Sequence, residues 1–225
     1  MDLFEAIESQ QQNKQFIGKP VSYEKLAILA RAGCYASTAG GLPHTNFILI
    51  NNARTIDEIA GCTSGQDWVR EAGGIIAVVC QKDLLNDWYG ERALKEGEKD
   101  VASETQNILL ASYALNLAAC CVTEFNTSKV EQLLNPFAKQ KFQRGSTELL
   151  EVIAIGQPLA APPKRRPIEL QNRVWFEKQE ERLRYRHLVR GQYFEALKKI
   201  GYNMQKRARG TYKQLRTAVK KLLKQ

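Results

Sequence analysis

Residues 101–119 read VASETQNILLASYALNLAA, a spacing that predicts one long helix. The second half of the run is apolar nearly all round. A helix built from it has little polar face to offer water and belongs at the centre of a fold or in a subunit interface. Short apolar runs stand on either side of it. FILI at 47–50 and GIIAVVC at 74–80 precede it, and ACCVT at 119–123 and LEVIAIG at 150–156 follow; each reads as a buried strand. Two helices are expected earlier in the chain. Leu3, Ala6 and Ile7 give residues 2–12 a helical spacing, Lys19-Pro20 breaks it, and Ser22 caps a second helix carrying Leu26, Leu29 and Ala30. Thr55 and Glu58 form a capping-box pattern at TIDE, ASTAGGLPH at 36–44 is a loop, and PLAAPPKRRP at 158–167 is extended. Strands and helices interleave, so the body is α+β or α/β.

The chain has 225 residues, 44% hydrophobic and 25% charged, which is ordinary globular material. The start, MDLFEAIESQ, has no apolar core of a secretory signal, and IIAVVC is too short to span a bilayer, so a cytoplasmic protein is expected. Five cysteines, odd in number and without a CxxC pair, fit reduced thiols, with Cys120 and Cys121 read as small buried residues. His44 and His187 are the only histidines; no zinc-ligand spacing, nucleophilic triad, P-loop or GxGxxG pattern is present, and no metal is expected. Charge is unevenly placed. From Lys164 onward there are 19 lysines and arginines against five acidic residues, whereas 1–163 carries 14 basic against 19 acidic residues. An acidic body with a basic tail points to a polyanionic partner.

Several phrases, taken in order, resemble the nitroreductase family of flavin enzymes over about residues 1–172. AIESQQQNKQF followed by KPVS is similar to the family's A-I-x-x-R-R-S-x-R-x-F opening, and ASTAGGLPHTNFILI is similar to its A-P-S-A-G-N-x-Q-P-W-x-F-I-V-V stretch. WYGER at 88–92, the 100–117 segment, IAIGQP at 153–158 and KRRPIEL at 164–170 fall at matching places. The resemblance implies an α+β nitroreductase-like fold: a central mixed sheet flanked by helices, with a long central helix. It also implies a homodimer with FMN at the subunit interface, reduced by NAD(P)H and reoxidised by nitroaromatics or quinones. By the same resemblance, Gln10, Gln12, Lys14, Thr38, Gly40, Arg165 and Arg166 stand at cofactor-binding positions. No catalytic residue is assigned.

At those positions the chain departs from the family. Gln10, Gln11 and Gln12 replace Arg-Arg-Ser, and Lys14 replaces the later Arg. Gly41, Pro43, His44 and Thr45 replace Asn, Gln, Pro and Trp, and AACCVT at 118–123 replaces the glycine-rich G-T-C-W-x-G. Charge-assisted bonds to a phosphate are about twice as strong as neutral ones. Replacing the three groups of Arg-Arg-Ser at about 1 kcal/mol each would weaken FMN roughly 100-fold. The expectation is a retained scaffold with an eroded flavin site, largely non-catalytic. The competing expectation is an active FMN-dependent NAD(P)H oxidoreductase with a substituted phosphate site.

The second expected domain, 173–225, is a basic helical extension that the family does not explain. Arg182, Arg184, Arg186, Arg190, Lys206, Arg207, Arg209, Lys213, Arg216, Lys220, Lys221 and Lys224 are its candidate nucleic-acid contacts, with Tyr185, Tyr193 and Tyr212 available to stack on bases. RNA or a ribonucleoprotein is the leading partner. An anionic membrane surface and a longer dimer clasp are the alternatives.

Overall fold

The structure is a computed structural model that describes residues 3–134, 147–161 and 173–175. The chain divides into two units, 1–165 and 166–225, and the elements below belong to the first. They are α1 (Leu3–Ser9), α2 (Tyr23–Cys34), β1 (Thr45–Ile50), α3 (Ala53–Ala60), β2 (Gly74–Gln81), α4 (Lys82–Tyr89), α5 (Ala93–Ala114), β3 (Ala118–Cys121), α6 (Thr127–Leu134) and β4 (Thr147–Gly156). The expected boundary at 172/173 and the helical extension, apart from Arg173–Trp175, lie outside the described residues.

The four strands pair in the order β1-β2-β4-β3. Every described pairing is antiparallel, so among the described residues the expected mixed sheet is corrected to an antiparallel one. Side chains alternate along the two central strands, and both faces are buried. Ile75 and Ala77 of β2, with Val152 and Ala154 of β4, pack under Ile56 and Ile59 of α3 and Val130 of α6. Ile76, Val78, Ile153 and Ile155 face the other way, onto Leu26 and Leu29 of α2 and Val101, Ile108 and Leu109 of α5. A bulge opposite Val78 and Val79 leaves Leu150 without a partner in the ladder.

Two local readings shift. The first turn of α3 is capped by Asn52, whose side chain accepts from the amides of Arg54 and Thr55, while Glu58 pairs with Arg54 rather than reaching back to Thr55. The long helix begins earlier and ends earlier than its hydrophobic pattern suggests. It stops at Ala114 because Asn116 takes a left-handed conformation, φ 55°. The Leu117 amide then bonds the Ser112 carbonyl and the Asn116 amide bonds the Tyr113 carbonyl, the two bonds of a Schellman ending. The chain turns there directly into β3. The apolar residues 117–119, read as the tail of the helix, belong to that turn and strand.

Asn tolerates the left-handed region and a β-branched residue does not. Asn116→Val is expected to lower unfolding stability by about 1–2 kcal/mol in urea titration, and Asn116→Gly by less than about 0.5 kcal/mol.

Candidate functional site

Gln12 and Asn13 lie along the outer edge of β3, and residues 15–17 run beside 157–159, which follow β4. The Asn13 amide donates to Ala119 O at 3.1 Å, the Ile17 amide to Gln157 O at 3.0 Å, and the Leu159 amide to Gln15 O at 2.9 Å. Phe16 bridges Pro158, and its ring lies against Gly156, where any Cβ would sit 2.7 Å from a ring carbon. Two side-chain amides of this stretch bond neighbouring backbone, Gln12 from an exposed position and Asn13 from a buried one. Gln12 Oε1 accepts from the Cys121 amide at 3.0 Å and from Cys120 Sγ at 3.2 Å. Asn13 Nδ2 donates to Ala160 O at 2.9 Å, while Asn13 Oδ1 accepts from the Gln15 amide. Gln10 is buried, 6% exposed. Lys14 places its ammonium over the Trp68 ring, 5.2 Å from the centroid, and Phe16 packs on the same ring.

Burial pushes the Cys120 thiol up to about 11 and Cys121 to about 12, so both stay protonated and unreactive near neutrality. Neighbours on a strand point to opposite faces, which keeps the two sulfurs from bridging. Both are free thiols.

The loop before β1 forms the other part. Ala39–Gly41 make one tight turn, with Gly40 and Gly41 at φ 61° and 67°. Thr38 Oγ1 donates to Leu42 O at 3.3 Å, and the Ala39 amide donates to Asp100 Oδ2 of α5 at 2.8 Å. His44 is fully buried, with Nδ1 3.0 Å from Leu42 O and Nε2 3.3 Å from Asp100 Oδ2. Thr45 Oγ1 donates to Glu104 Oε1 at 2.6 Å. Glu104, 1% exposed, is pushed up to about 7, chiefly by burial; the Thr45 bond opposes the shift and the nearby Asp100 adds to it.

Asp100 and Glu104 were missed as site residues in the sequence. The available signal was Glu104 itself, an acidic interruption in the stripe Val101, Thr105, Ile108 and Ser112 that α5 buries. That polar break matches the polar pair His44-Thr45 on the facing loop.

The two parts flank opposite edges of the sheet. Three interstrand gaps of about 4.8 Å place the loop at β1 and the 10–14 stretch beyond β3 more than about 14 Å apart. Gln10, Gln12 and Lys14 are brought together on one side and Thr38 and Gly40 on the other; Arg165 and Arg166 lie outside the described residues. A flavin mononucleotide needs cations or free N–H donors for its phosphate. Among the described residues of 10–14 the only cation, Lys14, sits over Trp68. Gln12 is turned onto the β3 backbone, and the Ala39 amide is taken by Asp100. Among the described residues at the expected cofactor positions, Lys14 is thus the one cation, and it is exposed beside Trp68. No group of three or more His, Cys, Asp or Glu among them could hold a metal ion, and no described helix is long and apolar enough to cross a membrane.

Glu104 gives the fold a pH dependence. Its folded pKa, about 7, lies above the ordinary 4.5, so the folded chain binds the extra proton. The stability it contributes is complete below about pH 4.5 and is lost as pH rises through about 7, a change of roughly 3 kcal/mol. Glu104→Gln keeps an acceptor for Thr45 and should flatten the urea midpoint across that window; an unchanged slope would assign it to another group.

No family model and no curated protein matches the chain. Solved structures do. The NADPH:FMN oxidoreductase from Vibrio harveyi complexed with NAD+ superposes with a TM-score of 0.66 at 17% identity, over 79% of this chain and 78% of that one. The FMN-dependent nitroreductase from Clostridium difficile R20291 gives 0.64 at 15% identity, over 78% and 99%. The NfrA1 nitroreductase from B. subtilis gives 0.67 at 16% identity, over 79% and 74%. At such identities the likeness is one of architecture, and it agrees with the order of motifs in the sequence: the chain has the nitroreductase fold.

Proposed function

We propose that this chain is a nitroreductase-fold protein that no longer holds FMN tightly and is largely non-catalytic. The observation that carries the reading is the hydrogen bond that the Cys121 amide donates to Gln12 Oε1. The side-chain carbonyl of Gln12 occupies a backbone donor beside the cofactor positions, and Lys14, the cation of 10–14, lies over the Trp68 ring. The replacement of three groups, two of them arginines, weakens FMN by roughly 100-fold at about 1 kcal/mol each. The scaffold is proposed to work as a homodimer. Leu3, Phe4 and Ile7 leave an exposed apolar stripe on α1, and the two parts of the site, on opposite edges of the sheet, would meet only across two copies.

A second reading concerns the tail. The surplus of basic residues from Lys164 onward favours a polyanion, and RNA or a ribonucleoprotein is the partner proposed for Arg182 through Lys224. Those residues lie outside the described ones, so the support is the charge pattern alone.

Purified protein is expected to be colourless, to bind added FMN weakly and to give a dimer mass by light scattering. Gln12→Ser combined with Lys14→Arg should tighten FMN by about tenfold. A stoichiometric yellow protein bleached by NADPH would replace this reading with an active FMN-dependent NAD(P)H oxidoreductase. For the tail, log affinity for single-stranded RNA should fall by about 0.7 per log unit of salt for each phosphate engaged. Lys206→Glu, Arg207→Glu and Arg209→Glu together, in the full chain, should abolish most of the binding. Unchanged binding in that variant would clear the tail, and flotation with anionic vesicles alone would move it to a membrane surface.

A further inference from the structure

Residues 12–21 run across one end of the sheet and are tied at the end of each of its four strands. The Asn13 amide bonds Ala119 O of β3, the Ile17 amide bonds Gln157 O just after β4, and the Val21 amide bonds Gly73 O just before β2, at 3.1, 3.0 and 2.8 Å. Asn51 Nδ2, just after β1, donates to Val21 O at 3.5 Å. The two halves of this strap are held by different forces. From Phe16 onward the hold is apolar: Phe16 is buried in the core on one face of the sheet and Val21 in the core on the other. Upstream the hold is polar. Ala6 is the buried residue of the seven in α1, while Leu3, Phe4 and Ile7 are exposed. The next buried residues, Gln10 and Asn13, are amides. Gln12 is exposed, and its one carbonyl oxygen accepts both the Cys121 amide and Cys120 Sγ. Local stability follows the apolar area a segment buries, and hydrogen bonds that water can replace add little to it.

We propose that residues 3–13 form a hinged arm and that Gln12 is its latch. When the Gln12 carbonyl lets go, the arm swings about Lys14 while Phe16 stays in the core. A glutamine carbonyl suits the task because its two lone pairs serve two donors at once, where a neighbouring strand would supply a backbone carbonyl. Phe16 suits the fixed end because its ring rests directly on the Gly156 backbone and against Trp68. Opening bares Ala119 O and the Cys121 amide on the outer edge of β3, together with the Cys120 thiol, which is 1% exposed when the arm is closed. An unpaired strand edge is a template for another strand, so the closed arm shields both that edge and the thiol beneath it. The bonds of the latch lie within one chain, and none of this depends on whether flavin binds.

The test is amide hydrogen exchange on the full-length chain, read beside alkylation of Cys120 by iodoacetamide and located by peptide fragmentation. In the parent chain the Asn13 and Cys121 amides are expected to exchange through one shared opening, with protection at least about tenfold below that of Ile17 and Val21. Gln12→Ala removes two bonds at an exposed position and should speed exchange of the Asn13 amide by on the order of tenfold. The bond that Asn13 itself makes, to Ala119 O, is untouched by that change, so its response reads the arm as a unit. Alkylation of Cys120 should quicken by the same factor, while Ile17 and Val21 hold their rates. Gln12→Glu keeps an acceptor oxygen and should restore most of the protection. Asn13 exchange indifferent to Gln12→Ala, or Asn13 and Val21 released together, overturns the proposal. Should Gln12→Ala fail to fold, the parent chain decides alone, and equal protection at Asn13 and Val21 sinks the arm.

Discussion

The constraint on which this structure rests is the burial of both faces of β2 and β4. Two central strands that carry apolar residues on both faces cannot leave either side to water, so helices must cover each face. α3 and α6 meet the face of Ile75 and Val152, and α2 and α5 meet that of Ile76 and Ile153. The edges of the sheet, β1 and β3, are what remain for other work, and both parts of the candidate site are built there.

At the β3 edge the polar work is structural. An edge strand left bare invites pairing with another chain, and here Gln12 and Asn13 bond the open edge of β3. The amides of Gln12 and Asn13 complete the attachment by reaching the donors and acceptors that the irregular backbone leaves over. Side chains that close such gaps are drawn toward the protein and away from any ligand. At the β1 edge the logic is electrostatic. His44 and Thr45 stand where the family pattern has Pro and Trp, and each finds a carboxylate on α5. Polar groups placed on both sides of a buried contact satisfy one another, and either side alone would be destabilising. Helix and loop are therefore matched, which is why α5 carries Asp100 and Glu104 on a face that otherwise buries apolar residues.

Much of the fold was legible in the order of residues. Ser22 capping α2, the strand cores at 47–50, 74–80 and 150–156, and a long central helix are all local properties, set by the period of apolar residues and by cap chemistry. The helix C-terminus was not legible, because Leu115, Leu117, Ala118 and Ala119 fit a helix face and a buried strand equally well; the left-handed Asn116 decides between them. Sheet direction was likewise beyond reach, since parallel and antiparallel strands buried on both faces share the same apolar runs.

For the site, the sequence by itself determined which residue types stand at each position: amides in place of arginines at 10–12, a histidine and a threonine at 44 and 45, and two carboxylates four residues apart at 100 and 104. Only the tertiary structure decided what they touch. Gln12 and Cys121, or Ala39 and Asp100, are far apart along the chain and adjacent in space. A hydrogen bond depends on distance and direction in three dimensions, and neither is fixed by spacing along a chain until the sheet and helices have packed.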